Sequence, residues 1–272
     1  MHELPLLIFT LLVQGSVGIT LFLTLGAGAA KPLPQATVLL TACVMGGLGL
    51  IASTLHLGYP LNAFNALRHV ASSWLSREIV FASFYLAVLG LCTLILLVKK
   101  RLVSVLLPIA ALLGLIDVWC MSAIYANSSI ITWMHFNTWL MFYGAVGILG
   151  AVGMAWLPIL NTGPVMQTRN TLLRLAVVCV VGIVAIRLLA QPAYVDYLAN
   201  APLKSVVTLP HQPLEAFARL EGLRLVCWVA SVVGAVLFAV SGWRNRRTGL
   251  LAGGVLLVLA EIAFRFVFFN IH

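Results

Sequence analysis

The residues best placed to do chemistry in this 272-residue chain are the few ionisable ones in or beside long apolar runs. Asp117, Arg187, Glu261 and Arg265 lie inside such runs, His56 and Glu78 lie at the ends of two others, and Arg224 opens another. A charge at bilayer depth is costly, so each of these is a candidate for function. A histidine titrates near neutral pH, with a reference pKa of about 6.5. Beside carboxyls it suits the removal of a proton from a weakly acidic hydroxyl. Each residue also has a plainer reading. His56 could cap a helix end, Glu78 could be a first-turn acid favoured by the helix dipole, and Arg187 could snorkel to the membrane surface. Glu261 and Arg265 are four residues apart, which puts them on one helical face and predicts an ion pair between them. Asp117 has no cation in its own run; Arg187 or Arg265 could pair with it from another helix, or it could stay protonated.

Metal chemistry finds no footing in the sequence. Cys43, Cys92, Cys120, Cys179 and Cys227 each stand alone in apolar runs, without the clustered spacing that iron–sulfur or zinc sites require. A haem between helices would need two axial histidines at membrane depth. Of His2, His56, His69, His135, His211 and His272, only His56 belongs to an apolar run. The expectation is a protein with no metal, haem or iron–sulfur cluster of its own.

The elements that must position these residues follow from composition. Hydrophobic residues make up 62% of the chain and charged residues 8%, against about 25% charged in ordinary soluble domains. A membrane-crossing helix needs roughly 20 mainly apolar residues. The pattern predicts an all-α, polytopic bundle of eight transmembrane helices forming one membrane domain over residues 1–272. The spans fall near 5–27, 37–58, 77–98, 102–125, 138–160, 171–191, 222–243 and 248–271. Breaks come at KPLP, GYP, KKR, NTGP and QP, where Pro and Gly stop helices. An acid and no Lys or Arg precede the first run, so it reads as a retained span and not as a cleaved signal peptide.

An even number of spans puts both termini on one side. With the N-terminus outside, the inner loops hold Lys31, Lys99, Lys100, Arg101, Arg169, Arg174, Arg244, Arg246 and Arg247, whereas the outer segments hold only Arg68, Arg77, Lys204, Arg219 and Arg224. The positive-inside rule then predicts both termini outside, on the periplasmic face of a bacterial inner membrane. It also explains the net charge of +9 without nucleic acid. By helical rise, Asp117 lies roughly 12 Å and Arg187 about 6 Å below the outer ends of their spans. By the same measure Arg265 is about 9 Å and Glu261 about 15 Å deep. The polar groups gather in the outer half. Two outer connections are long: residues 59–76 have the apolar spacing of a short helix lying in the interface, and residues 192–221 are polar and proline-punctuated.

Several strings resemble one family. HELPLLIFTLLVQG at residues 2–15 is similar to the opening of the DmsC-type membrane anchors of dimethyl sulfoxide reductases. GLIASTLHLGYPLNAFNAL resembles that family's most distinctive segment, carried here by His56, Leu57, Gly58, Pro60, Ala63, Phe64 and Asn65. LSREI at 75–79 and AEIAFRFVFFNIH at 260–272 add Glu78, Glu261, Arg265 and His272, and Arg224 fits an arginine entering the seventh span. The likeness is good at both ends and over spans two and three, and loose in the middle; Asp117 has no counterpart in it. The resemblance implies an eight-helix, haem-free anchor that oxidises menaquinol. Its electrons would pass to a partner subunit with four [4Fe–4S] clusters and on to a molybdopterin catalytic subunit, both docked on the outer face. It ties His56 to quinol binding, with Gly58, Pro60 and Asn65 around the site. On that reading His56 accepts a quinol proton, Glu78 or Asp117 carries protons outward, and the quinol tail lies among apolar side chains between helices. The alternative is an ion-translocating or transporter-like subunit of a related redox complex.

Overall fold

The computed structural model describes residues 4–26, 35–56, 68–160, 166–201 and 209–271. Their order is α1 (Leu4–Gly26), α2 (Gln35–His56), α3 (Trp74–Lys99), α4 (Leu106–Ala126), α5 (Phe136–Leu160), α6 (Met166–Ala199), the short α7 (Pro213–Arg219), α8 (Glu221–Trp243) and α9 (Arg247–Asn270). Eight of these are long and apolar enough to cross a membrane. The all-helical, eight-span expectation matches.

Apolar side chains alone do not hold helices together in lipid, because the surrounding tails are equally apolar; close backbone approach and polar contacts do. α1 is the hub, packed against α2, α4, α5 and α9. It approaches α5 so closely that a Cβ on Gly18 would sit 2.8 Å from Gly150 Cα and closer still to the Val146 carbonyl oxygen. Most of α1 is buried, whereas α3 and α8 turn most of their residues outward. The residues that face outward around the bundle are themselves apolar, among them Leu94, Leu112, Val178, Leu189, Leu225 and Val226. A surface of that kind suits hydrocarbon contact.

At the end of the bundle that holds both termini, the α4–α5 connection is pinned from several sides. The Ile131 N–H donates to the Leu209 carbonyl oxygen at 3.0 Å. Thr132 donates to Ile271 O at 2.6 Å, Trp133 Nε1 to Phe268 O at 2.7 Å, and Tyr194 to Thr132 O at 2.7 Å. At the opposite end the Arg174 guanidinium lies 5.7 Å from the Trp243 ring centroid, and Trp156 Nε1 donates to Leu250 O at 3.3 Å.

Two expected boundaries shift, with consequences for the site. The sixth span does not stop at Gln191–Pro192: α6 runs through Pro192 to Ala199. Proline removes one helical hydrogen bond. The extra turns are held instead by Tyr194 and by Tyr197, whose hydroxyl donates to Ile131 O at 3.3 Å. Arg187 is therefore twelve residues from the end of its helix, ~18 Å by helical rise rather than about 6 Å. The third span begins at Trp74, capped by Ser73, whose hydroxyl accepts from Ser76 N–H at 3.4 Å. Arg77 fixes this start by donating to Val70 O at 2.9 Å and Ala71 O at 2.6 Å. Of the 59–76 connection, residues 59–67 lie outside the described residues, so the interfacial helix expected there is not tested.

Candidate functional site

His56 is the last residue of α2, at the end of the bundle that holds both termini. Its side chain lies outside the described residues, as do Gly58, Pro60 and Asn65. α3 starts at that same end and packs against α2. Because α3 begins at Trp74, Glu78 is a full turn inside it and buried, not a first-turn acid.

From Glu78 the polar groups continue onto α4. Asp117 is completely buried, and neither of its oxygens has a hydrogen-bond partner among the described residues. The two carboxyls are close enough to interact electrostatically. Among the described residues no arginine pairs with Asp117, so the cross-helix pairing with Arg187 or Arg265 is not realised. A buried, unpartnered carboxyl is costly to a fold. That cost makes Asp117 the clearest functional candidate among the described side chains.

The remaining ionisable groups assemble differently from the expectation. Glu261 pairs with Arg187 on α6, not with Arg265 four residues along its own helix. Arg187 Nη1 donates to Glu261 Oε1 at 2.5 Å and Nη2 to Oε2 at 3.2 Å, while Nη2 and Nε also reach the Met141 and Leu140 carbonyl oxygens at 2.7 and 3.3 Å. Arg187 is 1% exposed, so it does not snorkel. Gly144 leaves the room: a Cβ there would lie 2.5 Å from Arg187 Nε. Arg265 points the other way. Its Nη2 donates to Gln14 Oε1 at 2.6 Å, and its guanidinium carbon lies 3.9 Å from the Phe142 ring centroid. An i, i+4 spacing permits a pair but does not oblige one, and here each side chain finds a better-shaped partner on another helix. Arg224 donates to Phe217 O at 3.0 Å and stacks on the Phe217 ring, tying α8 to α7.

Two residues escaped the sequence reading. Gln14 is fully buried and bridges α9 to α4, its Nε2 donating to Met121 Sδ at 3.4 Å. The signal was an amide within the apolar string LLVQGSV. His135 lies in the α4–α5 connection, and nothing in the sequence marks its packing: its ring is 4.7 Å from Tyr197 and 5.3 Å from Tyr194 by centroid. Its Nδ1 accepts from the Asn137 N–H at 3.1 Å, and burial pushes its pKa down.

The class that this arrangement defines is a multi-pass helical membrane protein with a row of buried polar groups crossing from α3 through α4, α1 and α9 to α6. The protein belongs to the DMSO reductase anchor subunit (DmsC) family, whose model matches residues 1–271. It is 28% identical over 295 residues to the YnfH subunit of an anaerobic dimethyl sulfoxide reductase of Escherichia coli K12, an alignment covering 100% of this sequence and 95% of that one. It is 40% identical over 143 residues to the C subunit of anaerobic dimethyl sulfoxide reductase from the same organism, covering 48% of this sequence and 49% of that one. It is also 36% identical over 140 residues to the corresponding C subunit of Haemophilus influenzae, covering 49% of this sequence and 50% of that one. No solved structure matches.

Proposed function

We propose that this protein is the quinol-oxidising anchor of a dimethyl sulfoxide reductase-type respiratory complex in a bacterial inner membrane, with both termini on the periplasmic side. Menaquinol is the donor. His56 takes the proton from one quinol hydroxyl, and the Glu78–Asp117 pair receives protons and releases them outward. The two electrons leave one at a time for an iron–sulfur subunit with four [4Fe–4S] clusters, which is docked on the outer face and hands them to a molybdopterin catalytic subunit. Gly58, Pro60 and Asn65 belong to the sequence motif around the quinol site.

One observation carries this reading: a fully buried carboxyl without a hydrogen-bond partner among the described residues, with a second buried carboxyl within electrostatic reach on a helix that starts where α2 ends. A structural role leaves such a cost unexplained; a group that must take up and release protons explains it. The Arg187–Glu261 pair, by contrast, is matched in charge and packed between helices, and Arg265 is held by Gln14 and the Phe142 ring, although its Nη1 has no hydrogen-bond partner among the described residues.

The ion-translocating alternative needs a proton route to the opposite face. Below Asp117 lie Tyr85, Ser16 and Thr20, with Tyr85 Oη 2.6 Å from Ser16 Oγ and 3.0 Å from Thr20 Oγ1. Ser16 donates to Ala42 O at 2.6 Å and Thr20 to Ser16 O at 2.9 Å. The Ser16 and Thr20 protons are committed to backbone carbonyls, leaving the Tyr85 hydroxyl to donate to their oxygens, which makes the cluster a helix clamp and a poor relay.

His56→Arg tests the proposal. The complex is expected to assemble and to reduce sulfoxide with an artificial donor acting on its soluble subunits, while losing quinol-dependent reduction. Full quinol activity in that variant would remove His56 from the mechanism.

A further inference from the structure

A groove of about 420 Å³ opens between α1, α2, α5 and α9 on the flank of the bundle. Leu11 and Ile19 of α1, Met45 of α2, Val152 and Trp156 of α5, and Ile262 of α9 line it, and its surface is almost wholly apolar. On α1 it extends from Leu7 to Ile19, ~18 Å by helical rise. Its inner wall is buried core, with Ile19 and Val152 each 2% exposed, while Ile8 and Ile262 stand half-open at the rim.

The pairing of α1 with α2 fixes where the groove begins. Ser16 donates to Ala42 O, a Cβ on Gly46 would meet Ser16, and a Cβ on Gly49 would meet Val13 and Leu12. Continuing that antiparallel register brings Leu7 level with the last turn of α2, which His56 closes. The groove therefore starts less than a turn beneath the end of α2 and descends from there.

Apolarity does not by itself draw a hydrocarbon tail into this groove, because bulk lipid tails are as apolar as the lining. Tethering does. A tail covalently joined to a head group held at the end of α2 reaches the groove at an effective concentration that free lipid lacks. We propose that the groove holds the isoprenoid tail of the quinol, so that this protein selects its donor by tail as well as by head. The inference rests on the reading of His56 above, and it adds a second, separate set of contacts to the donor site.

The test uses the whole complex in detergent, supplied with two reduced naphthoquinols of the same ring, one with a long isoprenoid tail and one without. Leu12→Trp and Val258→Trp fill the groove from two of its walls. The expected result is a KM for the tailed quinol raised about tenfold, the equivalent of 1.4 kcal/mol, with its kcat and the KM for the tail-less quinol unchanged. An unchanged KM for the tailed quinol, or an equal rise for both, overturns the proposal and leaves the groove to membrane lipid. His56→Arg separates the two readings: loss of both quinols is expected there, and retained activity would sink the head-group assignment while leaving the tail result standing. A tailed quinol carrying a photoreactive diazirine on its third isoprene unit reads the wild-type complex independently of folding in the variants. Labelling at Met45 or Trp156 is expected, and labelling confined to other helices would overturn the assignment.

Discussion

Arg187 on α6 and Glu261 on α9 meet at 2.5 Å in the centre of the bundle, each almost fully buried, although 74 residues separate them in the sequence. The pair joins two helices that otherwise pack against α5 and α8 more than against each other. Breaking a buried pair by removing one partner typically costs about 3–5 kcal/mol, because the other charge stays behind unpaired. Glu261→Ala and Arg187→Ala are each expected to lower thermal stability in mild detergent by an amount of that order. The double variant Arg187→Met/Glu261→Leu is expected to recover most of the loss, since apolar replacement of a whole pair is often neutral. Thermal unfolding of the three variants decides it, and a double variant as unstable as the singles would contradict it.

That pair also shows where the sequence was legible and where it was not. Eight runs of apolar residues bounded by Pro, Gly and basic clusters specify eight spans, because hydrocarbon leaves the backbone few alternatives to a helix. Partner choice among buried charges is set by helix rotation and by space. Gly144, which admits the Arg187 guanidinium, looks like any other glycine in FYGAVGILG. The extension of α6 past Pro192 depends on tyrosines reaching the α4–α5 connection, a contact between segments 62 residues apart. Buried depth at Asp117 was readable from its place in the run. The absence of a partner for it among the described residues was not, since Arg187 and Arg265 were both within plausible reach until α9 took one and Gln14 the other.

His135 sits outside the spans, and burial lowers its pKa. The folded protein therefore disfavours the imidazolium more than the unfolded polypeptide does. When the unfolded state binds more protons, stability rises with pH. The contribution is at its best above the unfolded value of about 6.5 and falls away as the pH drops below it toward the folded pKa. Melting temperature is expected to decline between neutral and mildly acidic pH, with a shallower decline in His135→Gln. Parallel curves for the two proteins would rule His135 out as the source.

The contact between α1 and α5 depends on Gly18 and Gly150. Gly18→Ala places a Cβ 2.8 Å from Gly150 Cα, against backbone that has no side chain to move aside. Overpacking of this sort costs typically about 1–3 kcal/mol, and here it pushes the hub helix off its neighbour. Gly90→Ala is the matched control, because nothing lies within 4 Å of the added methyl. That change is expected to be stabilising by roughly 0.5–1 kcal/mol, through the lower helical propensity of glycine. Equal effects at the two positions, measured by unfolding in detergent, would show that close approach of α1 and α5 is not what Gly18 provides.

Asp117 separates stability from function most sharply. Its oxygens are fully buried and lack hydrogen-bond partners among the described residues, so removing them relieves a cost rather than a bond. Asp117→Leu keeps the same branched skeleton of side-chain heavy atoms and is expected to leave thermal stability unchanged or higher. If the carboxyl only filled space, quinol-dependent sulfoxide reduction would be equally unaffected. If it carries protons away from the quinol, the variant is expected to lose at least about tenfold in kcat, a range consistent with the usual contribution of a positioned acid–base group. Asp117→Glu, which keeps a titratable carboxyl in nearly the same place, is expected to retain much more activity than Asp117→Leu. Reduction by an artificial donor to the soluble subunits serves as the assembly control. A leucine variant with wild-type quinol turnover would remove Asp117 from the proton route and leave Glu78 to act alone.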